Sequence, residues 1–122
     1  MLPKDNRLKK EKDFERVFKK GKSYNQTFLF LKVLKRDNNQ ESRFGFVVST
    51  KVSKKAVVRN KLKRQLREII REKLPEIKSD YDAVTVVQPG IETQSFHQLK
   101  QNLLQLLKEA NLIKDESINQ DN

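Results

Sequence analysis

The chain has no cysteine and no tryptophan, a single histidine, and only three glycines and three prolines in 122 residues. Each shortage removes a class of chemistry. Without cysteine there is no disulfide framework, no thiolate nucleophile and no cysteine-ligated zinc. Gly21, Gly45 and Gly90 lie far apart, so no glycine-rich loop can cradle a phosphate. His97 has no serine or cysteine constellation to serve as base, and it reads as a surface or packing residue. Asp80 and Asp82, two apart at the mouth of a strand, could hold a hard cation only with further oxygen ligands. None is in view, so the pair reads as a polar loop edge. No stretch approaches the roughly 20 apolar residues of a membrane-spanning helix. The opening MLPKDNRLKKEKDF lacks the apolar core of a secretion signal. A cytoplasmic location is the expectation, with which the lack of cysteine is compatible. A self-sufficient enzyme is a poor reading of this inventory.

Acid is also in short supply. There are 16 Asp and Glu against 27 Lys and Arg, giving a formal charge of +11 and a pI near 10.0. That excess points to nucleic acid or another anionic surface as partner. Hydrophobic and charged residues each make up 35%. The length and this balance suit one domain with a modest core and an ionic surface.

The charge concentrates between Lys51 and Lys73. Ten Lys and Arg stand there against Glu68 and Glu72. At about 100° per residue, Val58, Leu62, Leu66, Ile69 and Ile70 share one arc, and Arg59, Asn60, Lys63, Arg64, Arg67 and Arg71 share the next. The spacing predicts an amphipathic helix, started near Ser53 and stopped before Pro75. Its first turn is basic, which opposes the helix dipole and leaves a place for an anionic partner. A solvated charged face is the alternative, but such faces normally mix signs through i,i+4 pairs.

Around this helix the chain reads α-β-β-α-β-α, an α+β sandwich of helices against one sheet. Residues 1–10 read as a flexible basic arm, 11–113 as a single α+β domain and 114–122 as a polar, frayed tail. A first helix carries Phe14, Val17 and Phe18 and stops at Gly21. Tyr24 to Arg36 reads as one strand and Arg43 to Ser49 as a second, the two forming an antiparallel hairpin across a turn at 37–42. Gly45 marks a bulge or a close backbone approach. Tyr81 to Val87 is the third strand. Ser95 caps a last helix with Phe96, Leu99, Leu103, Leu106 and Leu107 at helical spacing. The seven phenylalanines either fill the core or, interleaved with Lys19, Lys20 and Lys32, stack unpaired bases. Periodicity alone favours the core.

Lys55 to Glu68, KAVVRNKLKRQLRE, resembles the signature of the bacterial ribonuclease P protein subunit family: an Arg-Asn-Arg core, then Lys-Arg and Leu-Arg-Glu. The resemblance extends to Arg7-Leu8-Lys9-Lys10, to Asp13, Phe14, Val17, Phe18 and Gly21, to Arg43 through Ser49, and to Asp80-Tyr81-Asp82. It departs at Lys61, which loses the planar fork of arginine, at Thr50, and in a missing glycine before the helix. The resemblance implies the fold of the second domain of ribosomal protein S5, with a left-handed β-α-β crossover. It also implies that the 11–113 domain is RNA-binding, in a subunit that joins a catalytic RNA, one to one, and helps remove the 5′ leader of precursor tRNA. Hydrolysis would be the RNA's, with Mg2+ held mainly by RNA, and no catalytic residue or metal site would be the protein's. Lys55, Arg59, Asn60, Lys61, Lys63, Arg64, Arg67 and Arg71 would face the catalytic RNA. Phe14 and Phe18 would line the leader cleft, which reverses the preference for pure core. A ribosomal or RNA-assembly binding protein is the competing expectation.

Overall fold

A computed structural model describes residues 2–113; the polar tail expected over 114–122 lies outside the described residues. Three helices and four strands follow the order α1 (Glu11–Lys20), β1 (Lys22–Gln26), β2 (Leu29–Lys35), β3 (Arg43–Val47), α2 (Ala56–Lys73), β4 (Tyr81–Val87) and α3 (Phe96–Glu109). The expected α+β class holds, with one strand more than expected. The sheet order is β1-β2-β4-β3.

Two expectations about the strands are corrected. The hairpin is β1 with β2, paired antiparallel from Lys22↔Val33 to Gln26↔Leu29. The stretch expected as one strand turns over at Thr27-Phe28. No glycine or asparagine marks that turn; Phe28 itself takes the left-handed conformation, φ 60°. This strain is of order 1 kcal/mol or more for a bulky residue. Its ring packs over Gly90, where an added Cβ would lie 2.3 Å from the ring, and its carbonyl accepts from the Gln88 N–H at 2.8 Å.

The second correction concerns β3, which does not pair with β2. Strand β4 lies between them, antiparallel to β2 and parallel to β3. Its run YDAVTVV is covered on both faces: Asp82 through Thr85 are all buried. Such a near-continuous buried run belongs in the middle of a sheet. The 36–42 connection passes over the start of β4, with Arg36 donating to the Asp80 carbonyl and Asp80 donating to that of Gln40. Helix α2 joins the parallel pair β3 and β4 as a β-α-β crossover.

Alternation along the strands sorts the two faces. Leu29, Leu31 and Val33 meet α2 and α3, whose buried residues include Leu66, Ile69, Ile70, Leu103 and Leu106. The opposite face carries Val84, which joins Val17 of α1 and Leu8 in a smaller cluster. Helix α3 begins as expected, in a capping box: Ser95 Oγ accepts from the Gln98 N–H at 3.1 Å, and the Gln98 side chain accepts from the Ser95 N–H at 2.8 Å. Helix α2 does not start at Ser53. Its N-cap is Lys55, with no side-chain cap and no acid in the first turn. Ser53 instead accepts from the Lys55 N–H ahead of the helix.

Residues 2–10, expected as a flexible arm, are docked along the outer edge of β3. Leu2, Asn6 and Leu8 are buried. Asn6 donates to the Ser42 carbonyl at 2.8 Å, and the Leu8 N–H donates to the Phe44 carbonyl at 3.0 Å. An exposed strand edge is a liability that proteins cover; here Arg7 bridges Phe44 in the parallel sense and covers it.

Candidate nucleic-acid interface

Helix α1 crosses only part of its face of the sheet. Val17 is fully buried against the sheet, and Phe14 lies over Gly45 of β3. A Cβ at Gly45 would stand 2.5 Å from two atoms of the Phe14 ring. Here the glycine serves close approach, one of the two roles its sequence position left open. Replacing it forces the ring aside. Gly45→Ala is expected to cost about 1–3 kcal/mol, as overpacking does, measured by urea denaturation. Phe18 is 38% exposed. Beyond α1 the same sheet face continues as Phe30 and Lys32 of β2, Val86 of β4 and Val47 of β3, all part-buried. The result is a part-open aromatic sheet face beside α1 that includes Lys32.

A buried carboxylate locks α1 onto the sheet. Asp82 has no exposed surface, yet three arginines reach it, from α1, from β3 and from the connection after β2. Arg43 of β3 donates to it from Nε at 2.8 Å and Nη2 at 2.7 Å, Arg16 of α1 donates at 3.1 Å, and Arg36 stands 3.6 Å away. Arg43 also reaches Asp13 of α1 at 3.3 Å. The hydrogen bond to Asp82 raises the Arg43 pKa further above its ordinary value. Asp80 is employed elsewhere, accepting from the backbone N–H groups of Asn38 and Gln40. The two aspartates therefore face different partners, and Asp82 is a buried strand residue and not part of a polar loop edge. His97 is exposed in the first turn of α3.

Most of the polar residues assigned to RNA on α2 and at its N-cap fall into three groups. Lys63 and Arg67 line a cleft of about 310 Å³ with Phe14, Phe46, Arg7 and Lys9. Asn60, Arg64 and Arg71 form an exposed ridge. Lys55 and Lys61 stand on the other flank, over a groove shared with the start of α3. Arg59 is partly engaged, donating to the Ser53 carbonyl at 2.8 Å. Arg71 pairs with Glu68 at 2.8 Å, and this bond lowers the Glu68 pKa. Arg7 and Lys9 are the residues that sequence reasoning left in a flexible arm; the alternation of Arg7, Leu8 and Lys9 was the available strand signal.

The profile of the family described as Ribonuclease P matches residues 2–111, nearly the whole described chain. The chain belongs to the ribonuclease P protein family. A ribonuclease P protein component of Microcystis aeruginosa is 44% identical over 115 residues, covering 92% of this chain and 96% of that one. One from Dictyoglomus turgidum is 40% identical, covering 93% and 95%. The fold agrees. The ribonuclease P protein of Staphylococcus aureus superposes with a TM-score of 0.83 at 29% identity, covering 91% of this chain and all of that one. That of Thermotoga maritima superposes with a TM-score of 0.76 at 36% identity, covering 84% and 96%. Membership places the chain in tRNA processing, as an RNA-binding subunit of ribonuclease P. No helix among the described residues is long and apolar enough to cross a membrane.

Proposed function

We propose that this chain is the non-catalytic subunit of a cytoplasmic ribonuclease P. It binds one catalytic RNA through the α2 ridge and holds the single-stranded 5′ leader of precursor tRNA in the cleft beside α1. One observation carries the reading: the exposed basic ridge of Asn60, Arg64 and Arg71 and the part-open aromatic face beside α1 stand on one chain, with Lys63 and Arg67 of α2 reaching the Phe14 side. Arg and Lys on a rigid helix position phosphates without reading sequence. Aromatic rings stack any base, which suits leaders of varied sequence. Phe18, more than a third exposed on a packed helix, favours the cleft role over the core role.

The protein's own carboxylates do not fit a resident Mg2+. Among the described residues no three His, Asp or Glu side chains gather, and Asp82 is saturated by arginine. Binding of that ion is assigned to the RNA.

The direct test is reconstitution with a bacterial ribonuclease P RNA at low Mg2+, where leader removal should rise on adding the protein. No rise overturns the reading. Phe18→Ala should weaken binding of leader-bearing tRNA by about 5- to 150-fold, the loss of one stacked base, with RNA assembly unchanged. Equal affinity of the wild-type holoenzyme for mature and leader-bearing tRNA would instead favour a ribosomal or assembly protein.

A further inference from the structure

We propose that the open groove between the start of α2 and the start of α3 is a second RNA contact, which takes an unpaired base of the catalytic RNA against Phe96. The inference rests on the reading of the chain as a ribonuclease P subunit and extends it to a surface away from the leader cleft.

The groove encloses about 800 Å³, within the roughly 300–1,000 Å³ span of small-molecule sites. Its floor is apolar: Val58 and Leu62 of α2, with Ile91 and Leu99. The apolar arc of α2 is thus only half used by the core. Leu66, Ile69 and Ile70 are fully buried, while Val58 and Leu62 remain part-open. Phe96 forms one wall and is 46% exposed. It occupies the first position of α3, where the capping box needs only Ser95 and Gln98. Nothing in the helix start requires an aromatic ring there.

Charge and continuity select the occupant. Lys54, Lys55 and Lys61 rim the groove, and none forms an ion pair among the described residues. The single acid of the rim, Glu92, turns to its own loop and accepts from the Gly90 N–H at 3.2 Å. Such a rim favours a polyanion over a neutral or cationic partner. Val57, 81% exposed, and Lys61 are four apart on one face of α2 and run from the Asn60–Arg64 ridge to the groove. A helix is only about 10–12 Å across with its side chains. An RNA seated on the ridge therefore reaches both flanks, with phosphates over the lysines and one base free to enter between them. Phe96 offers that base a ring face.

The absence of native tryptophan makes the test clean. Phe96→Trp places a lone indole in the groove. Its emission should be quenched on titration with ribonuclease P RNA and unchanged with a fully paired duplex RNA, whose bases cannot enter. Phe96→Ala should weaken assembly with ribonuclease P RNA by about 5- to 150-fold while leaving the salt dependence of binding unchanged. Lys55→Ala with Lys61→Ala should lower that salt dependence by about 0.7 units of slope per lysine. An unquenched indole together with unchanged assembly of Phe96→Ala overturns the proposal. So does self-association of the free protein, by sedimentation, that Phe96→Ala abolishes, because the groove would then hold a second copy. Circular dichroism of each variant checks the fold. If the wild-type chain fails to stimulate leader removal, the subunit reading itself fails. If it stimulates and the groove variants behave as wild type, only this proposal does.

Discussion

Replacing Arg64 and Arg67 together by alanine is expected to lower the salt dependence of binding to ribonuclease P RNA by about 1.4 to 1.8 units of slope, at about 0.7 to 0.9 per lost phosphate contact. Affinity should fall by about 3 kcal/mol, roughly 150-fold, if each guanidinium makes one charge-assisted bond. Arg64 is exposed on the ridge, and Arg67 lines the cleft beside Phe14 and Phe46. Neither forms an ion pair among the described residues, so each is available to phosphate. Arg71 is the internal control. Its bond to Glu68 already offsets its charge, so Arg71→Ala should change the slope less. Arg64→Lys should preserve the slope while losing the bidentate fork. The measurement is filter binding across a salt series. An unchanged slope for the double variant would place both residues on a merely solvated face.

Asp82→Ala is the largest expected loss of stability. It leaves Arg16, Arg36 and Arg43 facing one another around a site with no exposed surface. Removing one partner of a buried ionic network typically costs about 3–5 kcal/mol. The arginines differ in access: the Arg16 side chain is 43% exposed and that of Arg36 10%. Water can therefore relieve Arg16, and the lower end, about 3 kcal/mol, is expected. Urea denaturation gives the number. The consequence reaches function because Arg16 and Asp13 tie α1 to the sheet through this cluster. Asp82→Ala should weaken leader binding beyond what its stability explains, whereas a distant core truncation of equal cost, such as Leu103→Ala, should not. Equal effects of the two variants on leader affinity would show that the lock does not set the cleft.

Local chemistry was legible in the chain. The four-three spacing of α2, the Ser95 cap of α3 and the β-branched run of β4 each depend on residues close in sequence. The pairing of strands was not. The turn at Thr27-Phe28 carries none of the usual hairpin residues, because its left-handed position is held by packing of Phe28 on Gly90. Insertion of β4 between β2 and β3 depends on hydrogen bonds across tens of residues, which no short-range pattern records. The docked arm was missed for the same reason: Leu2, Asn6 and Leu8 are buried by residues distant in sequence, Leu2 in the main core, Leu8 beside Val17 and Val84, and Asn6 on the Ser42 carbonyl.

The sequence by itself determined the charge, the amphipathic basic helix, the family resemblance and the set of residues offered to RNA. Those are matters of composition and short-range order. Only the tertiary structure decided how that set is divided. It put Lys63 and Arg67 beside Phe14 and left Arg64 on the ridge, sent Lys61 to the flank facing Phe96, and spent Asp82 on holding α1 in place. The physical reason is that a helical period assigns a residue to an angle, while the neighbour waiting at that angle comes from elsewhere in the chain.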